Sequence, residues 1–157
     1  DLLFCLGTPG SNDFPVTRNG YAGSCAGGTS FTPAGLGLSY PNGCDMVVAR
    51  LSADGSALLG STYLGGNAND GLNSAPALKF NYADEVRGEV LLDALGRVWV
   101  VSCTQSSNAP VTSGAAQPAF GGGTHDGYVA RLDPLLCLLY TSPSPRDRTR
   151  SLMPSFA

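Results

Sequence analysis

The chain has a single histidine, His125, and it stands beside an acid, Asp126. An imidazole next to a carboxylate is the beginning of a general base, but the chemistry also needs a nucleophile in reach and a third group that orients the ring. His125 sits on a glycine-rich approach to an apolar run, and no such partners are spaced around it. Gly121-Gly122-Gly123 do not form a phosphate cradle either. They lead into a strand-like segment, where a nucleotide site needs a helix N-terminus. The five cysteines contain no CxxC pair, which argues against a zinc centre. Oxygen ligands are better represented. Asn67, Asn69 and Asp70 alternate in a glycine-flanked loop, and Asp84 with Glu85 closes the same stretch, a set that could hold Ca²⁺. The sixth-position Gly and terminal Glu of an EF-hand are absent, and a plain Asx-turn loop accounts for the same residues. Tyr21, Phe31, Tyr40 and Tyr82 lie in loops, where binding residues concentrate, and are the candidate ligand-contact aromatics. Trp99 falls within an apolar run and reads as core. The chain therefore reads as a non-enzyme with no obligate cofactor, calcium being the one candidate.

The elements that must position these residues occur twice. Asp13-Phe14-Pro15-Val16-Thr17 returns as Asn108-Ala109-Pro110-Val111-Thr112, an offset of 95. Asp45-Met46-Val47-Val48-Ala49-Arg50-Leu51 returns as Asp126-Gly127-Tyr128-Val129-Ala130-Arg131-Leu132, an offset of 81. The first copy thus carries 14 additional residues, roughly 29–42. His125 corresponds to Cys44, so a histidine site would not be shared by both copies. Cys25 and Cys44 bracket the extra segment. A disulfide between them would restrict the unfolded chain by roughly 3 kcal/mol and imply an oxidising compartment; two free core thiols are the alternative.

Glycine (21) and proline (11) are abundant and charged residues make up only 13%, a balance that suits an all-β protein with frequent turns. Strand patterns cover 2–6, 46–51, 57–64, 86–92, 97–104, 127–132 and 138–142, with Asp54-Gly55 and Asp93-Ala94-Leu95-Gly96 as hairpin turns. The second unit then has four strands in meander order, and the first lacks its opening strand. The expected organisation is an incomplete unit over 1–64 with an inserted loop at 29–42, a second unit over 65–142 with a long leading loop, and a tail over 143–157. Asp1-Leu2-Leu3-Phe4 lacks the basic region of a signal peptide and reads as mid-strand, as if the chain began inside a longer protein. No run of 18 apolar residues offers a spanning helix. Residues 1–142 hold six Lys/Arg against eleven Asp/Glu, a poor surface for nucleic acid.

Two such units in tandem suggest propeller blades, although 81–95 residues exceeds the usual propeller repeat and long loops must supply the surplus. The run from Asp45 to Leu51, then Asp54-Gly55-Ser56, then Ser61-Thr62-Tyr63-Leu64-Gly65-Gly66, resembles the SBBP (seven-bladed β-propeller) repeat. So does Leu92-Asp93-Ala94-Leu95-Gly96-Arg97-Val98-Trp99-Val100 followed by Ser107-Asn108-Ala109-Pro110-Val111-Thr112. The resemblance spans about 1–142. It implies a piece of an exported or cell-surface bacterial protein, of a kind that includes gliding-motility-associated proteins of Bacteroidetes. Its implied partners are further blades of the same polypeptide, surface proteins or polysaccharide. It implies no defined catalytic residues. The alternatives are a carbohydrate- or calcium-binding propeller, and an enzyme whose site lies on other blades. The segment Cys137–Ala157 departs from the repeat and resembles a translated sequencing adapter, so the native reading frame is expected to be lost near 136–142, with a disordered or non-native tail over 143–157 that contacts the sheets little.

Overall fold

Two antiparallel sheets account for all seven strands of the computed structural model, which describes residues 2–34, 37–74, 84–86 and 88–145. The first sheet has the order β1 (Leu2–Gly7), β2 (Met46–Ser52), β3 (Leu58–Leu64). The second has the order β4 (Glu89–Leu92), β5 (Val98–Thr104), β6 (Asp126–Leu132), β7 (Leu138–Pro145). No helix among the described residues is long and apolar enough to cross a membrane.

The sequence repeat is a repeat of hydrogen-bond register. Phe4 pairs with Arg50 as Trp99 pairs with Arg131, and Leu6 pairs with Val48 as Val101 pairs with Val129. Thus β1-β2-β3 is the counterpart of β5-β6-β7, and β4 has none in the first sheet. The loop motif Pro-Val-Thr has the same task in both units. Thr17 Oγ1 accepts from Ser61 N at 3.0 Å and Thr112 Oγ1 accepts from Thr141 N at 3.1 Å. Each threonine thereby occupies the outer rim of an edge strand, which would otherwise offer unpaired backbone groups.

Alternation along the strands sends Met46 and Val48 of the first sheet, with Phe4 and Leu6, toward Val98, Val100, Ala130 and Leu132 of the second, and together they form one core between the sheets. Burying side chains of this size stabilises by about 1.5–3 kcal/mol each. Arg50 follows on the same face and donates from Nη1 to Pro134 O at 2.7 Å, tying the first sheet to the β6–β7 turn. A second, smaller cluster gathers Tyr40, Cys44 and Leu72 under the inserted loop, with Phe31 and Val86 against it.

Two strand expectations are corrected. β4 begins at Glu89 and not at 86, because Asp84–Val86 closes a 3₁₀ turn and Gly88 lies hard against β1, where a side chain would meet Leu6 Cδ2 at 2.7 Å. β7 does not stop at 142. It runs through Pro143 and Pro145, paired with Tyr128 and Asp126. Proline lacks the N–H that a central strand needs, but β7 is an edge strand, so the missing donors cost little. Residues 146–157 lie outside the described residues.

The three hairpin turns share one geometry. Gly55 N donates to Ser52 O, Gly96 N to Asp93 O, and Leu136 N to Asp133 O, each at 2.9 Å. The donor residue is left-handed in each turn, with φ of 72° at Gly55, 73° at Gly96 and 68° at Leu136. Leu136 is the only non-glycine with positive φ among the described residues, and its side chain is fully buried. A β-carbon in this region costs about 1–2 kcal/mol. The place where the strain falls is where the sequence reading puts the loss of repeat register.

Candidate functional site

Of the residues singled out for chemistry, Asn69, Asp70 and His125 are buried among polar partners at one end of the two sheets. Asp70 is fully buried. Its Oδ2 accepts from Gly66 N and from Ser106 Oγ, both at 2.7 Å, and its Oδ1 accepts from Thr104 Oγ1. Ala68 N donates to Ser106 Oγ at 2.9 Å, and Asn67 N donates to Asn108 Oδ1 at 2.9 Å. The loop that follows β3 is therefore latched to the loop that follows β5. Burial raises the Asp70 pKa, and hydrogen bonds from Thr104, Gly66 and Ser106 act against it.

Asp45 faces the same point. Its Oδ2 accepts from Ala26 N at 2.6 Å, while its Oδ1 is buried without a hydrogen-bond partner. Gly65 permits this approach. A β-carbon there would lie 2.6 Å from Asp70 Oδ2 and 2.7 Å from Asp45 Oδ1, so the two carboxylates meet across a residue that cannot carry a side chain. Burial raises Asp45 to about 6, Ala26 N–H counteracts this, and the charge on Asp70 adds to it. The repeat reproduces the motif: Asp126 Oδ2 accepts from Gly121 N, the counterpart of Ala26, and Asp126 Oδ1 is likewise buried without a partner. The acid at the start of β2 and of β6 anchors the glycine-rich loop above it, which matches a capping role.

Of the calcium candidates, Asn69 and Asp70 are engaged with the chain itself. Asn69 Oδ1 accepts from Cys44 N at 3.2 Å, and its Nδ2 donates to Thr29 O at 3.0 Å. Asn67 is exposed, and Asp84 lies in the 3₁₀ turn with its side chain outside the described residues. Among the described residues no group of three or more His, Cys, Asp or Glu is placed to hold a metal ion.

The expected Cys25–Cys44 bridge is not formed in this structure; both are free thiols. Cys44 is fully buried and its Sγ donates to Asp45 O at 3.3 Å and Asp70 O at 3.4 Å. Burial pushes its pKa up, with Asp45 adding to the effect, and the Cys25 thiol is raised by the same two causes. A thiol held protonated is a poor nucleophile and a poor metal ligand.

The loop aromatics divide. Tyr21 is exposed. Phe31 is half-buried and forms an antiparallel bridge with Tyr40, which closes the inserted loop. Tyr40 is only 2% exposed, so its ring belongs to the smaller core and presents no contact surface, a correction to its reading as a ligand-contact residue. Tyr82 lies outside the described residues. Trp99 is half-buried on the outer face of the second sheet, not in the core, with the Arg131 guanidinium 5.4 Å from its ring centroid. His125 is buried. Its Nε2 accepts from Ser74 N at 3.3 Å and lies 2.9 Å from Gln105 Nε2, and its Nδ1 lies 2.8 Å from Thr124 Oγ1. The ring orders three loops.

The sequence reading missed Thr104, Ser106 and Asn108 as the partners of Asp70 and its loop. Their signal was present in the second copy, where Ser106 and Asn108 flank the repeated Pro-Val-Thr motif, but nothing local says which loop they meet. Leu136 was legible by comparing Asp93-Ala94-Leu95-Gly96 with Asp133-Pro134-Leu135-Leu136. Comparison of the chain with protein-family models, curated proteins and solved structures gives no match. The described residues form an all-β protein of two antiparallel sheets.

Proposed function

We propose that the chain is a non-catalytic β-propeller repeat module, two blades of an exported or cell-surface bacterial protein, serving as a scaffold for adhesion or protein contact. The observation that carries this reading is the repetition of structure down to individual hydrogen bonds: Thr17–Ser61 and Thr112–Thr141, Ala26–Asp45 and Gly121–Asp126. A unit built twice to one plan, packed sheet on sheet, is how arrays extend a surface. Polar side chains that would serve chemistry are committed to holding loops, which supports a scaffold over an enzyme. Tyr21 is exposed and available for contact.

The experiment is a binding screen of the purified chain against bacterial polysaccharides and whole cells, with Ca²⁺ and EDTA arms. Binding that survives EDTA and is lost on Tyr21→Ala supports the scaffold reading. Binding abolished by EDTA would favour the calcium-dependent alternative, and turnover of a bound polysaccharide would overturn the non-catalytic assignment.

A further inference from the structure

An apolar groove of about 410 Å³ crosses the outer face of the first sheet, with Cys5, Phe14, Val47, Ala49, Leu51 and Leu58 among its lining residues. The repeat gives each of these a counterpart in the second unit. Val47, Ala49 and Leu51 correspond to Tyr128, Ala130 and Leu132, Cys5 to Val100, Phe14 to Ala109 and Leu58 to Leu138. Those counterparts are the face of the second sheet that the first sheet covers. The groove is thus the same back face, without its cover.

The cover is also defined. What packs on the back of the second sheet is the front of the first, through Phe4, Leu6, Met46, Val48 and Arg50. Its counterparts on the second sheet include Trp99, Val101, Val129 and Arg131. Val101 is 42% exposed, and Arg131 Nε is buried without a partner, as is Arg50 Nε in the joined interface. One end of the chain therefore presents the socket of an interface that the chain has already built once, and the other end presents its plug.

We infer that the chain associates head to tail with a second copy of itself, the Trp99–Arg131 face of one copy seating in the Val47–Leu58 groove of the next. The inference rests on the repeat-module reading and specifies its partner. The two surfaces differ, so the contact is heterologous and leaves a free plug and a free socket at the ends of every assembly. The joint is weaker than the internal one. Ser11 and Asp13, the counterparts of Ser106 and Asn108, are exposed and positioned for a latching loop, but the sequence after β7 is Arg146-Asp147-Arg148-Thr149 where the first unit has Gly66-Asn67-Ala68-Asn69. Apolar burial and the Arg131 contact must suffice.

The test blocks one surface at a time at exposed positions, so that folding is spared. Val101→Glu places a charge on the plug and Leu58→Glu places one in the socket, whose residue is 38% exposed; Leu38→Glu, in the inserted loop, is the control. Sedimentation velocity is recorded across a roughly hundredfold concentration range, with circular dichroism to verify the fold. The expected result is concentration-dependent growth of the unaltered chain, association weakened about tenfold or more in either blocked chain, and none of this in the control. Mixing the two blocked chains should restore a 1:1 complex and nothing larger, because one supplies a free socket and the other a free plug. A chain that stays monomeric throughout, a Val101→Glu chain that still self-associates as before, or an equal effect of Leu38→Glu would each overturn the inference. None of these outcomes touches the binding screen, so a failure here is separable from a failure of the scaffold reading.

Discussion

Leu136 stands where two sister turns have glycine, and the choice sets two terms against each other. The left-handed backbone costs about 1–2 kcal/mol, while truncating a buried leucine costs about 2–5 kcal/mol. Leu136→Ala keeps the strain and loses the burial; Leu136→Gly loses the burial and releases the strain. Urea unfolding should therefore find the glycine variant about 1 kcal/mol more stable than the alanine variant, the reverse of their usual order, and equal stabilities would mean that the turn is not strained. Asp45 gives a pH signature. Its folded pKa is raised to about 6, so the folded state holds the proton more tightly than the unfolded one. The associated stability is full below about pH 4, declines as pH rises to about 6, and is flat above, a loss on the order of 2–3 kcal/mol. Asp45→Asn supplies an amide where Oδ1 has no partner and cannot ionise. It should flatten that decline and raise the melting temperature at pH 8, and a decline that persists in the variant would assign the effect to Asp70.

At the scale of elements, the latch between the units depends on Asp70. Asp70→Ala leaves Gly66 N, Ser106 and Thr104 without their acceptor, at about 1–3 kcal/mol for each buried donor. A loss of about 3 kcal/mol or more is expected from chemical denaturation, and a loss below about 1 kcal/mol would show that water takes over the role. The strand at the C-terminal end makes the next prediction. Because Pro143–Pro145 pair with β6, a chain ending at Ser142 should lose more than about 1 kcal/mol relative to one ending at Pro145. Seven strands, their order within each unit and the missing partner of β4 were legible from period-two patterns such as Val98-Trp99-Val100 and from Asp-Gly turns. The continuation of β7 was not, because edge position is a tertiary fact and proline is forbidden only in the interior of a sheet. Which oxygens of the Asn67–Asp70 loop are already used was equally hidden. Cys44, whose N–H claims Asn69 Oδ1, lies 25 residues away, and Thr104 and Ser106, which claim Asp70, lie 34 and 36 residues away, so local spacing reports a ligand set whether or not distant donors have claimed it.

For the molecule as a whole, one core and one polar latch join two sheets that are built alike. The repeated plan accounts for the engagement of Asp45, Asp126 and His125 with neighbouring loops. Each unit must hold long glycine-rich loops over its strands, and the buried acids and the histidine do that. It also explains why the inserted segment at 29–42 leaves the register of both sheets unchanged. Gly28 N donates to Asn42 O at 3.0 Å and Phe31 pairs with Tyr40, so the excursion is closed at its own base.

The duplicated register has a kinetic price. Val48-Ala49-Arg50-Leu51 and Val129-Ala130-Arg131-Leu132 present the same four residues, and β1 and β5 are each built to pair with them. A folding chain that pairs β2 with β5 closes a connection of 45 residues in place of the 38 between β1 and β2. That difference is worth only about 0.2 kcal/mol of loop entropy, too little to choose between them. Many chains should therefore collapse first with strands exchanged between units and must reopen before the native sheets form. Refolding from urea is expected to show a slow phase that a prolyl isomerase does not accelerate, which separates it from the isomerisation of the 11 prolines. A single fast phase would mean that the two pairings are distinguished before either sheet closes.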